Sequence, residues 1–474
     1  MTRTRAAAHS CALILTIAIA ATNLMAQKDD RTKPPQTPPL PDFKLPPLVE
    51  SKLPNGLAIV LVEDHRFPLV TVRLGFQAGA KYDPKDLPGL SEMTGALLTE
   101  GTGTRSSRQL AEELAGIGGA LKAQSGGDAM TIAGSALSDH LGQLLDLLAD
   151  VARHANFPAD EVQLRKQNRK QELLAELSQS STVADKKLSE VVFGDNPYSH
   201  TLPTPESIDK MRREDMAGFR DRYLAPNDAV LILLGAIPPA KETVKMIAAR
   251  FSDWPRKQAP AAASAPIPEP KRTVVLVDRP GSVQADVRIA KLAITRAHPD
   301  YFPLAVANSI LGGGGNSRLF LEIREKKGYA YDAHSEVRAR KDAGFFTAVS
   351  QVRNEVLEPA LDDMLREMTT LAKEPVAAAD LQDVKNFMSG VFVLRLETQS
   401  GLADQLSLVK LMGLNNDYLE KYTARVRSVD PAQIQSVAQK YIDPAAADIV
   451  VVGDASKIAK PLEKYGEVSV EKAK

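Results

Sequence analysis

The 474-residue chain has almost no sulfur chemistry to offer, its single cysteine being Cys11. One thiol closes no intramolecular disulfide and builds no cysteine-rich zinc site, which excludes a disulfide scaffold and a zinc-finger architecture. An excess of charge is missing as well. Lys plus Arg and Asp plus Glu stand at 59 each, so no net field steers the chain toward nucleic acid or an anionic membrane. The apolar run at 11–21 is too short to cross a bilayer, which takes roughly 20 apolar residues. Serine-hydrolase and phosphate-loop signatures are absent: there is no G-x-S-x-G elbow and no G-x-x-x-x-G-K-[ST] loop. The seven histidines are His9, His65, His140, His154, His200, His298 and His334. No two of them lie three or four positions apart, so neither HExxH nor HxxEH occurs, and no helical turn presents a pair of imidazoles to a metal.

What is present has the composition of a globular protein, 44% hydrophobic and 25% charged, and is too long for one ordinary core. Residues 1–26 read as a secretory signal, with Arg3 and Arg5 ahead of the apolar run and Ala26 at the expected cleavage point. Export is therefore expected, to a periplasm first and to the medium second. Cleavage would also remove Cys11. Residues 27–47, polar and proline-rich, read as an extended spacer that packs no core.

From Leu48 onward the chain alternates strand-like and helical patterns. Apolar runs at 57–63 and 69–76 flank the polar turn DHRFP and predict a hairpin. Helical periodicity marks 88–99, 106–116, 138–153, 159–180 and 210–223, and 229–235 reads as a buried strand. The Ala/Pro-rich stretch 257–270 is a linker, and the half of the chain after it repeats the half before it. Val72-Arg73-Leu74 returns as Val287-Arg288-Ile289, and Tyr223, Pro226 and Gly235 return at one common offset as Tyr441, Pro444 and Gly453. The expectation is an α+β protein of two homologous domains, 48–256 and 271–474. Each would be a mixed or antiparallel sheet with helices packed on one face.

The stretch 312–337 carries the densest signal. A glycine run at 312–315 leads into a charged amphipathic segment with Ser317 as N-cap, and Gly328 stops it. A strand then begins, on which alternation groups Tyr331 with Ala333, Ser335 and Val337. Nucleotide binding is disfavoured, because a helical pattern at 301–311 precedes the glycines where dinucleotide loops follow a strand.

The duplication, GLSEMTGALLTEGT at 89–102 and SRLFLEIREKKGYAY at 317–331 together resemble the pitrilysin/insulinase family of inverted-zincin metallopeptidases. Active members carry G-L-A-H-F-L-E-H-M-x-x-x-G-T, and 89–102 fits that frame without a gap. In the alignment Glu92 replaces the first zinc-binding histidine, Gly95 the glutamate base and Ala96 the second histidine, so Glu92-Met93-Thr94-Gly95-Ala96 is a degenerate site. Glu172, with Glu176 one turn later, lies where the family's third ligand is expected, and both read as surface carboxylates. The resemblance implies that Arg324 and Tyr331 match the family's substrate-holding and oxyanion-stabilising pair. It further implies that this chain binds no zinc and is inactive alone. Like the non-zinc subunit of heterodimeric members, it would lend Arg324 and Tyr331 to a homologous HxxEH-bearing partner, with zinc bound in that partner, for peptide hydrolysis. The alternatives are a peptide-binding or scaffold pseudoenzyme, and a hydrolase in which Glu92 recruits a histidine from elsewhere.

Overall fold

The computed structural model describes residues 44–263, 265–269 and 271–472. The expected signal segment and most of the proline-rich spacer lie outside the described residues. Two six-stranded mixed sheets are built to one plan. The first contains β1 (Val49–Lys52), β2 (Ala58–Glu63), β3 (Leu69–Phe76), β4 (Ala120–Ser125), β5 (Met130–Leu137) and β6 (Ala229–Gly235) in the order β1-β2-β6-β3-β5-β4. The second contains β7 (Val274–Asp278), β8 (Gln284–Ala293), β9 (Ala330–Ala339), β10 (Gly344–Arg353), β11 (Asp448–Gly453) and β12 (Val468–Lys472) in the order β12-β7-β11-β8-β10-β9. The β2, β6, β3, β5 and β4 positions recur as β7, β11, β8, β10 and β9. The outer strands differ: β1 runs antiparallel to β2, whereas β12 runs parallel to β7.

The hairpin expected from 57–76 does not form. β6 inserts between β2 and β3, parallel to the first and antiparallel to the second. The reason is solvation. Every residue of AVLILLG in β6 is buried, and such a run needs neighbours on both edges as well as both faces. Helical signals fared better, although the helix expected at 210–223 begins at Arg213 and Lys210 instead closes the preceding helix, Pro205–Lys210.

On one face the sheets carry helices of their own half, Leu141–His154 on β5 and Leu357–Lys373 on β10. On the other face the halves exchange helices. Five helices matter for this exchange or for the candidate sites: α1 (Leu90–Leu97), α2 (Ala159–Ser178), α3 (Ser180–Phe193), α4 (Tyr301–Gly312) and α5 (Gln399–Leu411). From the first half, α3 packs on β8 and β11, while α5 of the second half packs on β3 and β6. The duplicated arginines hold this exchange. Arg73 donates to Asp404 at 2.7 Å and to the Ser400 hydroxyl at 2.7 Å on α5. Its counterpart Arg288 donates to Asp185 at 2.7 Å and to the Ser181 carbonyl at 3.2 Å on α3. Both guanidinium groups also reach back to the preceding carbonyl of their own strand, so each side chain is fixed at two ends. Lys81 adds a further tie between the halves, meeting Asp128 at 3.2 Å and Asp342 at 2.7 Å.

Candidate functional site

The degenerate motif lies on α1. Gly89 begins the helix at φ +90°, a conformation that favours glycine. The Asp83 carboxylate accepts the Gly89 and Ser91 amides, each at 2.8 Å, and so satisfies two N–H groups the helix cannot. Burial pushes the Asp83 carboxyl up to about 7, against the pull of those two amides. Further along, Gly95 is buried over β4 and Ala96 is half-buried, and neither brings a group that could ligate or take a proton.

Glu92 faces α2, where Arg165, Arg169, Glu172 and Glu176 line one side of the helix. The Arg169 Nε lies 2.7 Å from Glu92, off the hydrogen-bond axis, so that contact is ionic. Its two Nη atoms each donate to Glu176 at 3.1 Å. Arg165 forks onto Glu172 at 2.8 and 2.9 Å and lies 3.9 Å from Glu92. The Arg165 hydrogen bond holds the Glu172 carboxyl below the usual range. Arg169 is 2% exposed and ranks among the largest fully buried side chains.

The three carboxylates Glu92, Glu172 and Glu176 are thus already matched by two guanidinium groups. Zinc does not fit. It needs unengaged lone pairs, commonly from imidazole, and here it would meet two fixed positive charges. Among the described residues no group of three His, Cys, Asp or Glu is placed to hold a metal ion. Glu172 and Glu176 do lie at the surface, as expected, but each is engaged by an arginine of the same helix. The arginines were missed, although the spacing Arg165 to Glu172 and Arg169 to Glu176, seven positions or two turns each, was legible on α2.

Arg324 and Tyr331 lie elsewhere, at the edge of the second sheet, and the structure brings them together. The Arg324 guanidinium carbon is 4.7 Å from the Phe320 ring centre and 4.8 Å from that of Tyr331. Two local departures from the expected geometry produce this. Phe320–Lys326 winds as a π-helix, with the Lys327 amide donating to Glu322 at 3.1 Å. Its apolar anchors Leu319 and Ile323 are fully buried, and Glu322 is tied to Lys326 and Arg366 at 2.9 and 3.0 Å. Ser317 does not cap it, since its buried hydroxyl has no hydrogen-bond partner. Gly328 does end it, at φ +62°, with its amide on the Arg324 carbonyl.

The second departure is a bulge in β9. Ala330 pairs with Val352 and Ala333 with Ser350, so Tyr331 and Asp332 together oppose Gln351. That extra residue breaks the alternation expected to group Tyr331 with Ala333 and Ser335. Those two are buried, whereas Tyr331 is 84% exposed. The pair is presented on open surface rather than inside a cavity of its own chain. Arg324 has only Glu325 as an ionic neighbour among the described residues, at 3.4 Å, and the Tyr331 hydroxyl makes no hydrogen bond among them.

The glycine run finds a structural use here. A Cβ on Gly312 would collide with the Ser335 amide and hydroxyl and lie 2.7 Å from the His334 carbonyl carbon, so this glycine lets the end of α4 touch β9.

Comparison with known proteins decides the family. Residues 58–206 match the family model described as insulinase (peptidase family M16), and residues 210–407 match the peptidase M16 inactive domain. The chain belongs to the insulinase, or M16, peptidase family. Among relatives of this M16 chain, an uncharacterized zinc protease of Bacillus subtilis is 22% identical over 81% of the chain and 93% of the relative. A probable mitochondrial-processing peptidase subunit beta of Arabidopsis thaliana is 23% identical over 85% of the chain and 77% of the relative. A solved peptidase M16 inactive domain from Pseudomonas fluorescens superposes with TM-score 0.80 at 25% identity, covering 86% of this chain and 98% of that one. A protease from Helicobacter pylori shares the fold with TM-score 0.79 at 19% identity, over 86% of this chain and 100% of its own.

Proposed function

We propose that this M16 chain is an exported, non-zinc subunit of a heterodimeric peptidase. It would present Arg324 and Tyr331 to peptide bound at the HxxEH-bearing partner. The observation that carries the reading is a pairing of opposites. The chain's own metal position is closed by Arg165 and Arg169, while Arg324 and Tyr331 stand together on open surface with the tyrosine hydroxyl unengaged among the described residues. Zinc and the general base belong to the partner.

The role of this chain's residues rests on their chemistry. The Tyr331 hydroxyl is an O–H donor able to bind the oxyanion that grows on a scissile carbonyl, a contact worth more in the transition state than before it. The planar guanidinium fork of Arg324 suits a carbonyl or carboxylate of the bound peptide. The Phe320 ring beneath it limits the directions the guanidinium can take. An active hydrolase built on Glu92 and a distant histidine receives no support, because Glu92 is already held by Arg169. The test is peptide cleavage by this chain, by an HxxEH-bearing homologue from the same cell, and by the two mixed. Gain on mixing supports the assignment, and a mixture no faster than the homologue alone refutes it.

A further inference from the structure

The second half contains a cavity of about 490 Å³ that the peptidase reading does not use. It opens between the loop after β8, the start of α4, and the segment 413–433. Its lining includes Arg296 and Arg425 and no acidic residue. Arg296 sits between two rings, 4.3 Å from the Tyr301 centre and 5.8 Å from that of Tyr418, and its Nε donates to the Tyr418 hydroxyl at 3.0 Å. That is its only side-chain hydrogen bond among the described residues, and no carboxylate among them pairs with it. Arg425 lies over Phe302 at 5.3 Å and Tyr418 at 5.9 Å. Its one carboxylate among the described residues, Asp417, is 3.6 Å away and is shared with Lys421 at 2.5 Å.

Other nearby charges do not fill the gap. Asp300 is taken by Lys440 at 3.2 Å and the Tyr441 hydroxyl at 3.1 Å. Burial raises the Tyr301 and Tyr418 phenols, so both stay neutral. His298 accepts the Asp300 amide on Nδ1 at 3.1 Å, which leaves its neutral-ring proton on Nε2 as one more donor. A half-buried guanidinium without a counter-ion, beside a second that is half-compensated, is an electrostatic vacancy of one to two negative charges. Phe302, Pro303, Leu414 and Val429 supply apolar walls, and Asn415, Ser428 and Gln433 add neutral polar groups to the lining.

We propose that this cavity binds a small organic carboxylate, with Arg296 and Arg425 taking the carboxylate and the rings of Phe302 and Tyr418 covering its apolar body. Guanidinium forks match a carboxylate bidentately, and the cavity's size is that of a small-molecule site.

The probe is hippurate, titrated calorimetrically into the full chain, beside its neutral amide and inorganic phosphate. Saturable 1:1 binding of hippurate is expected, with the amide weaker by about tenfold or more, a difference of about 1.4 kcal/mol. Arg425→Gln should weaken hippurate by a similar factor, whereas Tyr331→Phe should leave it unchanged. Equal binding of hippurate and its amide, or no saturation by about 5 mM, overturns the proposal. So does phosphate binding that hippurate fails to match, which would assign the arginines to a phosphate ester instead. Unchanged binding in Arg425→Gln also overturns it.

Discussion

Replacing Arg169 with methionine isolates what the guanidinium does between Glu92 and Glu176. Methionine keeps much of the apolar stem's packing and removes only the charged fork. Breaking a fully buried ion pair from one side costs about 3–5 kcal/mol, because the surviving charge is left without a partner. Here the survivors, Glu92 and Glu176, are 39% and 40% exposed, so water continues to solvate them. Halving the buried figure for that screening leaves about 2 kcal/mol. The assay is urea unfolding of the full chain, with the midpoint and slope compared to the wild type. Arg169→Met should lower the midpoint at unchanged slope. The triple variant Arg169→Met, Glu92→Gln, Glu176→Gln should regain part of the loss, since it no longer strands two carboxylates. A change below about 0.5 kcal/mol, the scatter of an ordinary surface substitution, would refute the reasoning. So would a triple variant less stable than the single one.

Restoring histidine, glutamate and histidine by Glu92→His, Gly95→Glu and Ala96→His should not create a zinc site while Arg165 and Arg169 occupy its other side; atomic absorption of the purified variant should find no stoichiometric zinc. Asp83 carries a pH dependence. Its folded-state carboxyl is raised from 3.8 to about 7, so the unfolded state releases its proton first as pH rises. Stability should therefore fall between about pH 4 and 7, by up to about 1.4 kcal/mol per unit, and level off above, with Asp83→Asn lacking that slope in urea melts at each pH. Gly312→Ala forces a methyl onto the β9 backbone and should cost about 3 kcal/mol, read as a lowered melting temperature.

The sequence disclosed the two halves because duplication leaves matched landmarks, and Arg73 and Arg288 were among them. What those arginines do was not legible, since their partners on α5 and α3 lie in the opposite half, more than 100 positions away in each case. The same blindness to long-range pairing produced the false hairpin: local pattern gave β2 and β3 correctly as strands, but only β6, more than 150 positions on, determines that they are kept apart. At the candidate site the reverse held. Arg324 and Tyr331 were singled out only through the family resemblance of 317–331, and the local backbone that joins them was not legible. A π-turn and a one-residue bulge carry no strong sequence signature, and simple alternation grouped Tyr331 with Ala333 and Ser335, from whose face the bulge removes it. Arg165 and Arg169 were passed over for another reason. Charged residues on a helix usually face water, and nothing local marks Arg169 as buried.

The most direct measurement is the turnover of a peptide by an HxxEH-bearing homologue from the same cell mixed with wild-type chain, with Tyr331→Phe, and with Arg324→Ala. Tyr331 is 84% exposed, so its loss should leave the chain's own stability within about 0.5 kcal/mol of wild type, and a fall in rate would report chemistry rather than folding. If Tyr331 donates to the oxyanion, Tyr331→Phe should lower kcat by about 10²-fold, the usual worth of one such donor. Arg324→Ala should raise KM or lower kcat/KM. Mixtures in which both variants match the wild type within experimental error would contradict the assignment of this chain as the Arg/Tyr half of a peptidase.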